Sequence, residues 1–508
     1  MDDDEEIKLP TKSDVIKVCD SIMAEISRIN RLREEDQEMR FKSYEAILKN
    51  LEKLKSYEGV DHFSDIFFDS SLNSQFTFLV STPNTEISSS FISLLTDICE
   101  ENSTMTDIVK RSEYLVKAIS FCLPLNEVNV QSDAQFLYNT FNLISVILDG
   151  CDDAPGFAEI LLKNTEIISL IKRQFRRDDF DDNVLAATET LAILLQIQPN
   201  FISDEEQYRT PPASNENDSD GEDVEGGNEE LLNLLLRFIA NEKNPKSSSE
   251  DEAAHNGFNA LTLFTLNEKG IELFVQLKGI EYLLDCWTSK AKTAMLAVKA
   301  IETALAASTP CCIQFIDAGG LERLTKTLKD PKTLTSKKIS SSIIGILDAL
   351  LTMLPTGETK KAESKDDSKE DSTSDTKEKE QEDSSDSLDP EGKYFRMVLK
   401  IFEKKKKNEY KRVTKLIKIS EFIFENASDD EAESMDVFQT CACCIAILSG
   451  YASNNVRIQI FEDVNNSDNL DFQLIIDSAE LRIEDAKSIA HRVEMGLETL
   501  AEFIDIVE

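Results

Sequence analysis

The stretch 314-QFIDAGGLERLTKTLKD-330 sets two adjacent glycines between two apolar-periodic runs, in a chain with only 16 Gly among its 508 residues. Neither run alternates apolar and polar residues as a half-buried strand would. Both space their apolar residues by three and four, as a helix does. A second copy lies upstream, where "VQLKGIEYLLDCW" puts Gly279 before Ile280, Leu283 and Leu284, just as Gly320 precedes Leu321, Leu324 and Leu328. Gly279 and Gly320 stand 41 residues apart. In each copy an apolar helix precedes the glycine, a short second helix starts there, and a longer third follows: "TAMLAVKAIETALAAS" in one, "SKKISSSIIGILDALLTML" in the other.

A period near 40 with two or three helices per unit is the signature of armadillo and HEAT repeats. The expected fold class is therefore all-α: an armadillo/HEAT-type helical repeat solenoid with a helical N-terminal cap and a helical C-terminal region. Gly279 and Gly320 are expected as left-handed helix C-caps, a conformation that costs other residues a β-carbon clash. Gly319 is expected to loosen the same corner. In the more degenerate unit "AEILLKNTEIISLIKRQ", Asn164 and Thr165 stand near the cap.

Composition agrees with an all-helical chain: Leu, Ile, Glu, Lys and Ala dominate, and no Val/Ile/Tyr alternation with Asn-Gly turns appears. No run approaches the eighteen or so uncharged apolar residues of a membrane span. The N-terminal "MDDDEEIKLP" lacks the apolar stretch of a signal peptide, so a soluble intracellular chain with reduced cysteines is expected. Its Lys+Arg of 55 against Asp+Glu of 96 gives −41, a field that repels phosphates and anionic lipid and favours basic partners. Residues 203–229 carry ten acids and one base, and 357–392 carry fourteen acids and six bases. Both are poor in aliphatic residues and cannot bury enough apolar surface to stay ordered. The expected organisation is an acidic disordered tail (1–12), a helical cap (13–57), repeats (58–202), an acidic disordered insertion (203–229), further repeats (230–356), an acidic linker (357–392) and a C-terminal helical region (393–508).

Several stretches together carry a family resemblance: "FNLISVILDG", "FAEILLKNTEIISLIKRQF" and "ETLAILLQ", then "LLNLLLRFIANEKNP" through "FNALTLFTLNEKGIELFVQLKGIEYLL", then "AIETALAAS" and "CCIQFIDAGGLERLTKTLK". These resemble the beta-catenin-like protein 1 family of nuclear armadillo-repeat proteins, over roughly 40–355 and more weakly over 393–508. The resemblance implies a nuclear role in pre-mRNA splicing through a Prp19-type complex. It also implies binding of basic, nuclear-localisation-like segments of splicing partners, a Myb-like subunit among them. It involves no catalytic signature. The family typically has a basic stretch near its N-terminus, where this chain has acids, and the chain's only lysine run is "FEKKKKNEYKR" at 402–412. Entry into the nucleus with a partner is one consequence.

For chemistry the sequence offers little. The three histidines, His62, His255 and His491, pair with no nucleophile motif, and no Walker-type or GxGxxG stretch appears. Neither an enzyme nor a cofactor is expected. Cys441, Cys443 and Cys444, and likewise Cys311 and Cys312, sit in apolar helical runs without the matching pair a zinc site needs, so packing is their expected role. Trp287, the only tryptophan, is read as buried before it is read as a binding anchor.

The surface built from stacked third helices is where a solenoid binds extended peptides. Candidate groove acids there are Asp97, Glu189, Glu302 and Asp348, each flanked by apolar neighbours; the competing placement of each is toward bulk solvent. Ser219, Ser249 and Ser428 each have an acid three residues on and are candidate phosphorylation sites, as is Thr210 before Pro211, although any acidic stretch matches so short a pattern. The function expected is a non-enzymatic adaptor that holds basic segments of splicing proteins, with no direct nucleic-acid or membrane partner and with self-association left open. An importin-α-like receptor, or a structural spacer with an unused groove, are the alternatives.

Overall fold

The structure, a computed structural model, describes residues 10–57, 59–102, 113–122, 131–177, 179–203, 227–288, 290–330, 336–357, 392–405, 410–426, 432–485 and 487–507. Among these every regular element is helical and no strand occurs. No described helix is long and apolar enough to cross a membrane. The chain is an armadillo-type helical repeat solenoid, divided into two compact units, Met1–Gly270 and Ile271–Glu508.

The first unit starts with α1 (Lys12–Ile29) and α2 (Gln37–Lys55), packed on each other. Helix α1 begins one residue inside the expected tail because Thr11 closes a capping box with Asp14: both its backbone N–H and its hydroxyl donate to that carboxylate, at 3.0 and 2.6 Å. The first repeat comprises α3 (Phe63–Phe68), α4 (Phe76–Val80) and α5 (Thr85–Glu101), whose core is a cluster of Phe67, Phe68, Phe76 and Phe91. Then come α6 (Glu113–Cys122) and α7 (Gln131–Gly150), followed by α8 (Ala154–Asn164), α9 (Ile167–Phe175) and α10 (Asp182–Ile197). A 3₁₀ turn at Pro199–Ile202, α11 (Asn228–Asn241) and α12 (Ser248–Thr265) complete the unit. The long third helices form a continuous layer: α5 packs on α7, α7 on α10, and α10 on α12.

The second unit holds the copy that revealed the repeat. Helices α13 (Glu268–Gln276), α14 (Gly279–Cys286) and α15 (Ala294–Ala307) recur as α16 (Thr309–Asp317), α17 (Gly320–Lys329) and α18 (Lys337–Met353). After the acidic segment come α19 (Lys393–Glu403), α20 (Lys411–Glu425) and α21 (Ala432–Tyr451), then α22 (Asn454–Asn465), α23 (Phe472–Asp485) and α24 (Ala490–Val507). Here α15 packs on α18 and α18 on α21, while α23 and α24 both lie against α21.

The corner glycines act differently from the expectation. Left-handed backbone falls one residue earlier, on Lys278 (φ 55°) and on Gly319 (φ 83°). Gly279 and Gly320 instead open the second helix. A β-carbon there would meet the ring of Phe274 at 2.0 Å or of Phe315 at 2.4 Å, so the glycine is required by close approach. At the earlier corner Thr165 is extended (φ −136°), not left-handed, and its hydroxyl donates to the Leu161 carbonyl. The expected tails and linkers within 1–9, 204–226 and 358–391 lie outside the described residues.

The cysteines 311, 312, 441, 443 and 444 are fully buried in helix packing, and burial pushes Cys311, Cys441 and Cys443 up to about 12. Trp287 is buried and stacks on Phe315, with ring centroids 6.4 Å apart.

A candidate peptide-binding face on the third-helix layer

In the first unit α5, α7 and α10 are each packed on both flanks and at the back, which fixes the direction of their remaining side chains. Helix α10 is flanked by α7 and α12 and backed by α8 and α9. Its buried residues include Val184, Ala187, Thr188, Leu191, Leu194 and Leu195. What stays open is one line along the helix at spacings of three and four: Leu185, Glu189, Ile193 and Gln196. The corresponding line on α7 is Gln135, Asn139, Asn142, Val146 and Asp149, and on α12 it is Glu252, Asn256, Asn259, Leu263 and Leu266. On α5 it runs through Ser90, Ser93 and Asp97. The open face is therefore acidic, amide-rich and partly apolar.

Local sequence sets these phases. Asp181 caps α10 by accepting from the Asn183 and Val184 N–H groups at 3.1 and 3.2 Å, and Ser247 caps α12 by accepting from Glu250 N–H at 3.1 Å. Side chains then tie the helices in register: Asn183 donates to the Ala134 carbonyl (3.2 Å), and Asn139 donates to the carbonyl and hydroxyl of Ser89 (3.0 Å each). Asn142, Asn256 and Asn259 carry no hydrogen bond to another described residue, so their amides are open to a ligand.

Of the four acids singled out in the sequence, Glu189 sits on the open line. Its carboxyl is held above the usual range first by desolvation, then by the carboxylates of Glu252 and Asp149 on the two neighbouring third helices. Three acids from three successive third helices, α7, α10 and α12, thus share one patch. Asp97 is on the open line of α5, but its charge is already matched: Lys55 of α2 lies 2.8 Å away and also donates to Ser93. Glu302 of α15 folds over Gly345 of α18, where any β-carbon would meet its carboxylate at 2.0 Å. Burial pushes it up to about 7, against the opposing pull of a Ser342 hydrogen bond and of Lys299. Asp348 of α18 is closed off further, with Oδ1 buried and unbonded, and burial raises it to about 6 despite Arg482 of α23. The cover comes from the C-terminal helices: Arg492 of α24 donates to the Leu351 carbonyl at 2.7 Å, and Gly496 packs directly on the Ala446 backbone of α21.

Asp149 and Glu252 were not singled out from the sequence. They stand near the ends of their helices, and only continuation of the open line from Asn142 and Val146, or from Asn256, reaches them. Ser249 lies in the first turn of α12, half-buried; Ser219, Ser428 and Thr210 lie outside the described residues.

The profile of a family described as "Catenin-beta-like, Arm-motif containing nuclear" matches residues 28–440. The chain is similar to the Beta-catenin-like protein 1 homolog of Schizosaccharomyces pombe, 23% identical over 309 residues, covering 58% of this chain and 50% of that protein. It is also 24% identical to Beta-catenin-like protein 1 of Mus musculus over 293 residues, covering 54% of this chain and 48% of the mouse protein. The chain thus spans about half the length of the curated relatives it matches. Among solved structures, a designed armadillo repeat protein is 14% identical at TM-score 0.38, covering 54% of this chain and 98% of its own. An engineered protein is 13% identical at TM-score 0.48, covering 96% of this chain and 95% of its own.

Proposed function

The chain belongs to the family of catenin-beta-like, Arm-motif-containing nuclear proteins, and from that premise we propose that it is a non-enzymatic adaptor of the pre-mRNA splicing machinery. In this proposal it works in the nucleus with a Prp19-type complex and holds basic, nuclear-localisation-like segments of partner proteins, such as a Myb-like subunit, on the third-helix face of its first unit. The observation that carries the binding mode is the patch Asp149–Glu189–Glu252, where desolvation and then the two neighbouring carboxylates hold Glu189 above its usual range and a cation would relieve it. Unengaged Asn amides on the same face suit the backbone of an extended peptide, and Val146, Leu185 and Ile193 supply apolar contact. One exposed ion pair contributes only about 0–1 kcal/mol, so several lysines or arginines must engage together. The splicing assignment rests on the family resemblance.

A spacer role suits the second unit, where α23 and α24 lie over the third-helix layer at α21. An import receptor reading through exposed tryptophans is disfavoured because the one tryptophan is buried. The test is to purify splicing particles from cells carrying the tagged wild-type chain or its Glu189→Lys/Glu252→Lys form. The wild type should co-purify with Prp19-type subunits and the double variant should lose its basic-segment partner. A wild-type chain that brings down no splicing component would sink the assignment.

A further inference from the structure

The most basic stretch of this acidic chain lies outside the groove. Residues 393–418 hold eleven bases and two acids. On α19 the exposed positions Lys393, Arg396 and Lys400 fall at spacings of three and four and form one stripe, which the exposed Lys404 follows directly after the last helical residue, while Phe395, Val398, Leu399 and Phe402 on the opposite side are buried. Among the described residues no carboxylate pairs with Arg396, Lys400 or Lys404. Such a row of like charges is unfavourable to itself and invites an anion.

The structure also shows what stands beside it. Gly392, immediately before α19, is pressed against the backbone of Thr356 and Gly357: a β-carbon on Gly392 would lie 2.2 Å from the Thr356 carbonyl oxygen. The 34 residues from 358 to 391, with fourteen acids and six bases, therefore leave and re-enter the fold at the foot of the stripe. With both ends anchored there, the segment can extend roughly 58 Å outward and back. Helix α19 is 11 residues, about 16 Å. The tether gives the segment an effective concentration on the order of mM at the stripe, which an unlinked anion must exceed.

We propose that the basic stripe of α19 is a docking surface for the chain's own acidic segment 358–391, held by charge complementarity and by the shared foot at Gly357 and Gly392. A nucleic acid is the poorer occupant. Outside 393–418 the chain is more negative still than its overall −41, and among the described residues of this stretch no aromatic face is open for stacking, since Tyr410 is buried and the Tyr394 ring carries the Lys393 ammonium 4.9 Å from its centroid. Phosphorylation of the serines within 358–391 would strengthen the contact by adding charge.

The test uses the full chain and zero-length carbodiimide coupling, which joins lysine amines only to carboxylates in contact. Peptide mapping should find Lys400 and Lys404 joined to acids between 358 and 383, with yields falling several-fold between 50 and 500 mM salt. Couplings to acids at 386–391 are not counted, because chain proximity alone produces them. A 1:1 mixture of isotopically heavy and light chains separates the sources: cis docking gives unmixed pairs, whereas mixed pairs would assign the stripe to a second copy and overturn the proposal. Stripe lysines that couple elsewhere, or nowhere, would overturn it equally. So would a labelled RNA oligonucleotide that displaces the segment couplings at sub-millimolar concentration.

Discussion

Lys278 and Gly319 occupy the same left-handed corner in successive repeats, and that equivalence makes the corner testable one residue at a time. A non-glycine residue pays roughly 1–2 kcal/mol for this backbone, partly offset by the extra chain entropy glycine loses on folding. Lys278→Gly should therefore be neutral or stabilising by up to about 1 kcal/mol. Gly279→Ala and Gly320→Ala should each destabilise by about 1–3 kcal/mol, because the added methyl is driven into Phe274 or Phe315. Trp287 fluorescence in urea is the measurement, since the only tryptophan stacks on Phe315 within this repeat. An unchanged midpoint for Gly320→Ala would show that Phe315 is not what demands the glycine. Glu302 gives a second residue-scale test. Its folded pKa is raised to about 7 from an unfolded value near 4.5, so the folded state holds the extra proton and stability falls as pH climbs through that window. Glu302→Gln should gain on the order of 2 kcal/mol over wild type at pH 8, and the gain should vanish near pH 4.5. A gain independent of pH would mean that ionisation of Glu302 is not the cost.

At the scale of the element, the open line on each third helix follows from its neighbours. The 3.6-residue period of "NVLAATETLAILLQI" was legible in the sequence, but this helix is apolar nearly all round because α7 and α12 bury both flanks. Asp182 stands at its first turn, and Glu189, the exposed acid within the apolar run, stands out for that reason. The phase of α18 was not legible: Asp348 has the same apolar neighbours in sequence, yet helices more than a hundred residues later come to lie over it. Asp97 likewise reads as a free acid until Lys55 is placed beside it. The all-helical class, the three-helix order of the two glycine-marked units and their 41-residue register were legible; which face stays open depends on packing between distant segments. The raised proton affinity of Glu189 sets a pH signature for the groove. A basic ligand favours the ionised carboxylate, so affinity should weaken as pH falls toward that raised pKa. Glu189→Gln should flatten that profile, as read by titration calorimetry at pH values above the ordinary carboxylate range. A wild-type profile as flat as the variant's would remove Glu189 from the contact.

For the whole molecule, the division of labour follows from where the third-helix layer is open. In the first unit it presents acids and unengaged amides. In the second, C-terminal helices close over Asp348, and α19 presents a basic stripe. The measurement that tests the groove most directly is fluorescence anisotropy of a labelled Lys/Arg-rich peptide from a splicing factor, at two salt concentrations. The panel comprises the wild-type chain, the Glu189→Lys/Glu252→Lys form and a scrambled peptide of equal charge. Saturable binding of the native peptide that weakens with salt, exceeds the scramble and drops at least tenfold in the double variant is the expected result. Equal binding of both peptides by both proteins would contradict it, leaving only the diffuse attraction of an acidic surface for any base.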